Sequence, residues 1–489
     1  MTQLDTPDIA AGQGIARNAL FLLVAKAVTT VISFFLVLYL ARSLGDIHFG
    51  KYSFAIAYCG FFTVLVDLGL NNLAVRDLAR DKRTAGDYLG VLVTLRLALS
   101  LVTLAVAFVV VNLLQYPPDT RLVVYVMGVG MLLISGFGEL YTNVFEGYEQ
   151  MQYIALIDTV KRTIDLGCAV VVLSLGYGLL VLVVAFLASE SLRLGLSWWV
   201  ARRRLGLRIR PHIDLEAWRT RIATAFPFAL MLTFMAILTN TDIMMLAKMR
   251  GEQEVGWYGA ASRLTSTLTL IPMMCATAMF PVASRLYHES REAVRPLFVG
   301  LVRPMIILGL PIAVGTSLLV RPLILLLYGL QYVPAAAALR LLVWAVAFSF
   351  INLPMVLLLT AIDRQRFGTV AMGISAGLNV VFNAALIPSL GLVGASLATV
   401  IAAAALFVCC ATAVTTAFRG LVIHRYFIHP VIGSAVMGGI VWTMAAENVF
   451  FAIGVGAVGY GMVLLVTGAL KREDWQTFRQ FLTEVKRSK

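Results

Sequence analysis

Long apolar runs separated by short polar breaks fill the chain from about residue 17 to residue 470. A helix that crosses a hydrocarbon core of roughly 30 Å needs about 20 mainly apolar residues. A search with that length predicts fourteen membrane-spanning helices, at 17–41, 52–70, 86–114, 120–147, 153–177, 180–201, 221–247, 256–281, 303–320, 336–361, 367–388, 391–418, 426–446 and 449–470. The pattern therefore predicts an all-α polytopic membrane protein.

The composition excludes a chain that folds in water. Hydrophobic residues make up 60% of the 489 residues and charged residues 13%, whereas an average soluble protein is about one quarter charged. We therefore exclude a soluble enzyme, a secreted disulfide scaffold and a disordered regulator. The segment before the first apolar run carries Asp5 and Asp8 and lacks a cleavage site, so we expect that run to remain as a membrane helix.

The formal charge of +13 falls mainly on one side of the predicted membrane. With the N-terminus inside, 28 of the 39 basic residues lie in cytoplasmic segments or in the cytoplasmic parts of spans, seven in outer loops or outer span ends, and four, Lys26, Arg96, Arg193 and Arg263, deeper within spans. This bias predicts that both termini are cytoplasmic and that the charge records topology, so no nucleic-acid partner is expected. The densest run, 202–221, is interpreted as a positive-inside linker, with binding of anionic headgroups as the alternative.

A short motif recurs in the second half of the chain. The two copies lie 206 residues apart and read Leu40-Ala41-Arg42, Gly45-Asp46, Gly50-Lys51-Tyr52 and Leu246-Ala247-Lys248, Gly251-Glu252, Gly256-Trp257-Tyr258. Six predicted spans separate them, so the two halves share one orientation, as in a parallel repeat of the kind found in transporters. The predicted parts are an N-lobe at 1–201, a basic cytoplasmic linker at 202–220, a C-lobe at 221–420, a terminal helix pair at 421–470 and an amphipathic tail at 471–489.

Ionisable residues inside the predicted spans are concentrated in the first eight. Such residues are costly in hydrocarbon and usually face a bundle interior or a water-filled cavity. Three pairs of neighbours can neutralise each other along one helix, and structural pairing is favoured for them: Asp158 with Arg162, Lys161 with Asp165, and Glu190 with Arg193.

Three deep cations, Lys26, Arg96 and Arg263, have no acidic residue within one helical turn. Each needs an anionic partner, which is either an acid on another helix or a ligand. A phosphate or pyrophosphate suits these side chains, because arginine is a bidentate donor and lysine a point charge. We therefore take them as candidate substrate-binding cations, with interhelical ion pairs as the alternative.

Three acids, Asp67, Glu139 and Asp242, also lack a local partner. Coupling of transport to a proton or a sodium ion is one hypothesis for them. Ion pairs with the unpaired cations are the favoured alternative.

Motifs for covalent chemistry are missing from the sequence. There is no GxxxxGK[ST] loop and no HExxH, and Gly373–Gly377 fits GxSxG only within an apolar helix, where helix packing explains it better. The five cysteines and five histidines show no metal-ligand spacing. No loop is long enough to carry a catalytic domain. We expect no enzyme, no cofactor and no metal.

Several stretches resemble the Wzx-type polysaccharide or O-antigen flippases of the multidrug/oligosaccharidyl-lipid/polysaccharide exporter superfamily. The resemblance covers most of residues 14–420. It rests on the order and spacing of Leu44-Gly45-Asp46, Phe49–Tyr52, Asp67–Leu70, Val75-Arg76, Pro272, Phe280-Pro281, Ser284–Leu286, Leu327–Gly329, Asn379, Asn383, Ile387-Pro388 and Gly391–Ser396.

The resemblance implies two six-helix lobes plus a terminal pair around a V-shaped central cavity. It also implies a flippase of the bacterial cytoplasmic (inner) membrane that carries an undecaprenyl-pyrophosphate-linked oligosaccharide to the outer leaflet for O-antigen or lipopolysaccharide synthesis. Alternating access coupled to protons or sodium is implied as well, with a polysaccharide polymerase or ligase as a partner. Lys26, Arg96 and Arg263 match the cavity cations of that family by type and placement.

Two other functions fit the same fold. A cation-coupled multidrug exporter would favour acids over cations in its cavity, and a lipid II flippase would differ in the glycan. A membrane enzyme that joins or polymerises glycans fits poorly, because catalytic clusters and large loops are missing.

Overall fold

A computed structural model describes residues 7–80, 85–207, 209–289, 294–418, 423–444 and 448–468. Within these ranges the secondary structure is helical and contains no strand. Eleven helical stretches are long and apolar enough to cross a membrane. The all-α prediction is confirmed, and the chain is a multi-pass membrane protein.

Sixteen α-helices are numbered here in chain order. They are α1 Pro7–Asp67, α2 Leu70–Arg80, α3 Ala85–Leu113, α4 Pro118–Gly128, α5 Ser135–Gly147, α6 Met151–Ser174, α7 Leu179–Arg204, α8 Leu215–Arg250, α9 Glu252–Leu268, α10 Leu270–Glu289, α11 Val294–Leu327, α12 Ala335–Ala361, α13 Gln365–Leu390, α14 Leu392–Ala417, α15 Ile428–Thr443 and α16 Val449–Val466. A π-helical turn, Val129–Ile134, joins α4 to α5, and 3-10 turns lie at Leu330–Tyr332 and Ile423–Tyr426.

Within the described residues, every predicted span lies mainly on helix. α1 carries the first two spans and is broken at Gly45, whose φ is 75°. α4 and α5 form one span through the π turn, and α9 with α10 forms another. α6 is missing from the eleven apolar stretches because it carries Asp158, Lys161, Arg162 and Asp165.

One helix, α2, was not predicted. It buries Leu70, Leu73, Ala74 and Leu78 along one face and exposes Arg76 on the other. The apolar spacing of three and four residues is that of a short amphipathic helix. A search for runs of 20 apolar residues misses an element of this length.

The chain divides into two compact units, one ending at Met244 and the other beginning at Met245. The first unit includes most of α8, whose Arg221 stacks on the ring of Tyr88 at 4.2 Å and whose Phe228 lies against Gly69. The finer division into five parts stays a prediction, and its tail at 471–489 lies outside the described residues. The V-shaped cavity also stays a prediction.

Each unit has its own apolar core. In the first unit Leu73, Leu92 and Leu140 bring α2, α3 and α5 together. In the second unit Ile306, Met355 and Cys410 join α11, α12 and α14. These buried contacts fix the helices that carry the polar residues discussed below.

The two copies of the repeated motif have the same local conformation. Gly45 has φ 75° and ψ 172°, and Gly251 has φ 91° and ψ −178°. The first leucine of each copy, Leu40 and Leu246, is fully buried. A left-handed φ with extended ψ is almost restricted to glycine, which explains why glycine stands at both turns.

A second repeated motif was missed in the sequence. Leu114–Pro118 reads LQYPP and Leu330–Pro334 reads LQYVP, each between equivalent spans of its half. Tyr116 packs on Phe54 with ring centroids 4.5 Å apart, and Tyr332 packs on Tyr328 at 5.4 Å. Both tyrosines are buried.

The backbone conformation of Gly251 leads to a prediction about the stability of the protein. Gly251→Ala should lower the free energy of unfolding by about 1–3 kcal/mol, because alanine is strained at this φ and ψ. Gly167→Ala is the control, since Gly167 lies within α6 with open space around it and should gain up to about 1 kcal/mol. Thermal unfolding in detergent measures both, and equal stability of the two variants would contradict the backbone argument.

Candidate substrate site

Arg96 is at the centre of a buried polar cluster in the first unit. Its side chain is 1% exposed, and its guanidinium donates to Asp67 at 2.8 Å, to Asn71 Oδ1 at 2.9 Å and to the carbonyl oxygen of Gly136 at 2.9 Å. These partners belong to α1, α2 and α5. The cluster therefore ties three helices to α3.

The break between α1 and α2 places the acid of this cluster. α1 ends at Asp67 because Leu68 and Gly69 have positive φ values of 45° and 80°. Asp67 then accepts a hydrogen bond from the Asn71 backbone N–H at 3.1 Å, in the first turn of α2. A Cβ at position 69 would lie 2.6 Å from that of Phe228, so only glycine allows α8 to approach.

Of the two alternatives for Arg96, the structure shows the interhelical ion pair. Its acidic partner is Asp67, which is also a candidate for ion coupling. A contact between Arg96 and substrate stays a prediction.

Lys26 and Arg263 have different surroundings. Lys26 lies on α1 with an exposed side chain, and no ion pair joins it to another residue in the described ranges. Arg263 lies on α9 in the second unit and is exposed as well. Asp242 lies on α8 and is buried, at 3% exposure.

A second ionic cluster centres on Arg193 of α7. Glu190 holds its guanidinium at 2.7 Å, while Asp158 of α6 lies at 3.7 Å and Glu139 of α5 at 3.6 Å. A Cβ at position 138 would overlap the guanidinium, so Gly138 lets Arg193 lie against α5.

The predicted neighbour pairs are partly right. Lys161 pairs with Asp165 at 2.8 Å and Glu190 with Arg193, as expected. Asp158 was expected to pair with Arg162 along α6, but its ion pair is with Arg193.

The cluster has further contacts along α6 and between α6 and α7. Arg162 approaches Asp165 of the same helix at 3.7 Å, and Lys161 reaches Glu190 of α7 at 3.2 Å. Ser189 of α7 donates to the Asp165 carboxylate. Glu139 therefore has a cationic partner, Arg193, which was expected to pair with Glu190 alone.

No group of three or more His, Cys, Asp or Glu side chains suited to a metal ion occurs among the described residues. Arg96 and Arg193 of the first unit are held in ion pairs, whereas Lys26 is exposed.

The comparison with known families decides the assignment. Residues 15–287, more than half of the chain, match the model of the polysaccharide biosynthesis protein family. The chain belongs to that family. Residues 227–385 also match the MatE family.

A curated relative and several solved structures are also similar to this chain. The chain is 21% identical over 391 residues to the probable low-salt glycan biosynthesis flippase Agl15 of Haloferax volcanii, covering 79% of this chain and 80% of that protein. Among solved structures, the lipid II flippase MurJ in an inward closed conformation has a TM-score of 0.78 at 14% identity, over 92% of this chain and 98% of that one. An inward-facing multidrug resistance MATE transporter has a TM-score of 0.61 at 16% identity, over 82% and 100%.

The structural matches show the fold shared by the MOP superfamily. This polysaccharide biosynthesis protein thus shares the fold of the lipid II flippase MurJ and of the MATE transporters.

Proposed function

We propose that the protein moves an undecaprenyl-pyrophosphate-linked oligosaccharide from the inner to the outer leaflet of a bacterial cytoplasmic membrane. The observation that carries the proposal is the family match over residues 15–287, together with a flippase relative that spans most of the chain. Export of O-antigen or another polysaccharide of the cell surface is the proposed purpose. Both termini are proposed to be cytoplasmic, and a polysaccharide polymerase or ligase is the proposed partner.

The chemistry of the substrate explains why such a protein is needed. A sugar–pyrophosphate head carries many polar groups, and each one costs kilocalories to desolvate in hydrocarbon. A polar path replaces water for the head while the polyprenyl tail stays in lipid. No covalent bond has to change, so the task requires binding groups and alternating access only.

Lys26 is the proposed first contact of the pyrophosphate. It lies nine residues into the first predicted span, about 14 Å along the helix. An exposed ammonium at that depth is costly unless water or an anion meets it. Arg263 of the second unit is proposed to contribute a second cation.

Ion coupling is proposed to act through the acids. Asp67 and Glu139 each lie next to an arginine, so protonation or sodium binding at either carboxylate would weaken an ion pair between helices. Asp242 is the third candidate because it is buried within α8. A change in these contacts is a physical route from ion binding to helix movement.

A multidrug exporter is the second candidate, because residues 227–385 match the MatE family and MATE transporters share the fold. A lipid II flippase is the third, on the fold match to MurJ.

Reconstituted liposomes test the proposed function. We expect the purified protein to speed the exposure of undecaprenyl-pyrophosphate-linked oligosaccharide to external periodate, which does not cross the bilayer. A proton or sodium gradient should raise the rate further, and protein-free liposomes are the control. Ethidium movement without movement of the glycolipid would instead establish the drug exporter.

A further inference from the structure

α6 has two accessible faces on opposite sides of the helix. One is apolar: Leu156 is 58% exposed and Val160 37%, and Val171 continues this face. The other carries Asp158 and Arg162, whose side chains are 46% and 41% exposed. At 3.6 residues per turn, positions two apart are about 200° apart, so Asp158 lies opposite both Leu156 and Val160.

The polar face of α6 therefore meets water. Asp158 is seven residues inside α6, about 10 Å from its start, and Arg162 on the same face is eleven residues inside, about 17 Å. Exposed charges at such depth are found next to water-filled cavities and seldom next to lipid. We assign the contact of α6 with lipid to its apolar face.

Two partly exposed carboxylates that face Arg193, Asp158 of α6 and Glu139 of α5, retain acceptor capacity. The closest atoms of Asp158 and Glu139 are 3.7 and 3.6 Å from Arg193, beyond a good hydrogen bond, whereas Glu190 holds the arginine at 2.7 Å. A carboxylate accepts about four hydrogen bonds. Asp158 and Glu139 are thus positioned by Arg193 without being saturated by it.

The net charge of the ionic cluster around Arg193 determines which ligands it favours. Four acids, Glu139, Asp158, Asp165 and Glu190, share three cations, Lys161, Arg162 and Arg193. With all groups ionised, one negative charge is in excess. Such a surface repels uronic acids and accepts hydroxyl donors.

We propose that Asp158 and Glu139 form a subsite for the hydroxyl groups of neutral sugars in the transported glycan. This inference rests on the proposed function and adds the class of sugar that the first unit selects. Arg193 is a positioning residue in this account, held by Glu190 and placed against Gly138. The subsite is separate from the cations proposed to hold the pyrophosphate.

Cysteine accessibility tests the subsite in the full-length protein. Arg162→Cys lies one turn from Asp158 on the polar face and leaves both carboxylates of the subsite in place. It should react with a charged, water-soluble methanethiosulfonate, and the matched variant Val160→Cys on the apolar face should not. The readout is the thiol modified above the wild-type background. Maltohexaose, chitohexaose or xylohexaose at about four times its Kd should slow the reaction at position 162 by about fivefold, as expected for a site that is about four-fifths occupied. Hexagalacturonate should leave the rate unchanged.

The outcomes test separately whether the polar face meets water and whether it binds sugar. Equal and slow reaction at positions 162 and 160 would show that the polar face does not meet water. Reaction at position 162 without protection by any of the three neutral sugars, or with equal protection by hexagalacturonate, would overturn the sugar subsite. Monodisperse elution of both variants confirms that they are folded.

A separate measurement keeps this inference distinct from the proposed function. Wild-type protein that moves no undecaprenyl-linked oligosaccharide in liposomes would refute the proposed function. The labelling and protection results would then still report whether the polar face of α6 is wet and binds neutral sugars. Conversely, active transport with an unprotected cysteine would refute the subsite alone.

Discussion

Replacing Arg96 by methionine should lower the free energy of unfolding by about 3–5 kcal/mol, the usual cost of leaving one member of a buried ion pair without its partner. Arg96 is 1% exposed and donates to groups on α1, α2 and α5. Its loss leaves Asp67, Asn71 and the Gly136 carbonyl with unmet hydrogen bonds. Denaturant unfolding in detergent micelles measures the change.

Arg76→Met is the matched control. Arg76 pairs with Asp77 at 3.0 Å, but its side chain is 46% exposed, so its loss should cost at most about 1 kcal/mol. The double variant Asp67→Asn/Arg96→Met should recover part of the loss, because no buried charge is left unpaired. Wild-type stability of Arg96→Met combined with abolished transport would show that Arg96 serves the substrate and not the fold.

Replacing Lys26 by glutamine should reduce glycolipid translocation by roughly 10- to 100-fold, the value of one charge-assisted hydrogen bond of about 1.5–3 kcal/mol. Folding should be unaffected, because Lys26 is exposed and forms no ion pair with another described residue. The rate of glycolipid exposure in liposomes measures the effect.

Lys26→Arg is the control for charge. It keeps the cation at the same position and should retain most of the rate, although the guanidinium has a different shape. Transport by Lys26→Gln at the wild-type rate would remove Lys26 from the proposed path. Equal loss in both variants would assign the effect to shape and not to charge.

Periodicity and length were enough to predict most of the fold. Each of the fourteen spans is helical because a run of about 20 apolar residues has few other ways to satisfy its backbone in lipid. The amphipathic helix α2 was missed, since only one face of it is apolar. The repeat was found through Gly45 and Gly251, where the backbone requires glycine.

The ionic contacts were harder to predict because they cross between helices. Lys161 with Asp165 follows from a spacing of four residues on α6. Asp158 with Arg193 depends on how α6 packs on α7, and Arg96 with Asp67 depends on the break at Leu68 and Gly69. A single sequence does not contain those interhelical distances. It did identify the residues that need a partner, because a lone charge in a span is costly.

The most direct test of the central claim is the amount and sidedness of lipid-linked oligosaccharide in a strain that lacks this protein. We predict that undecaprenyl-pyrophosphate-linked oligosaccharide accumulates on the inner leaflet and that restoring the wild-type chain relieves the accumulation. The accumulated lipid would also identify the glycan. No accumulation, together with increased sensitivity to cationic drugs that the restored chain reverses, would contradict the flippase and establish an exporter.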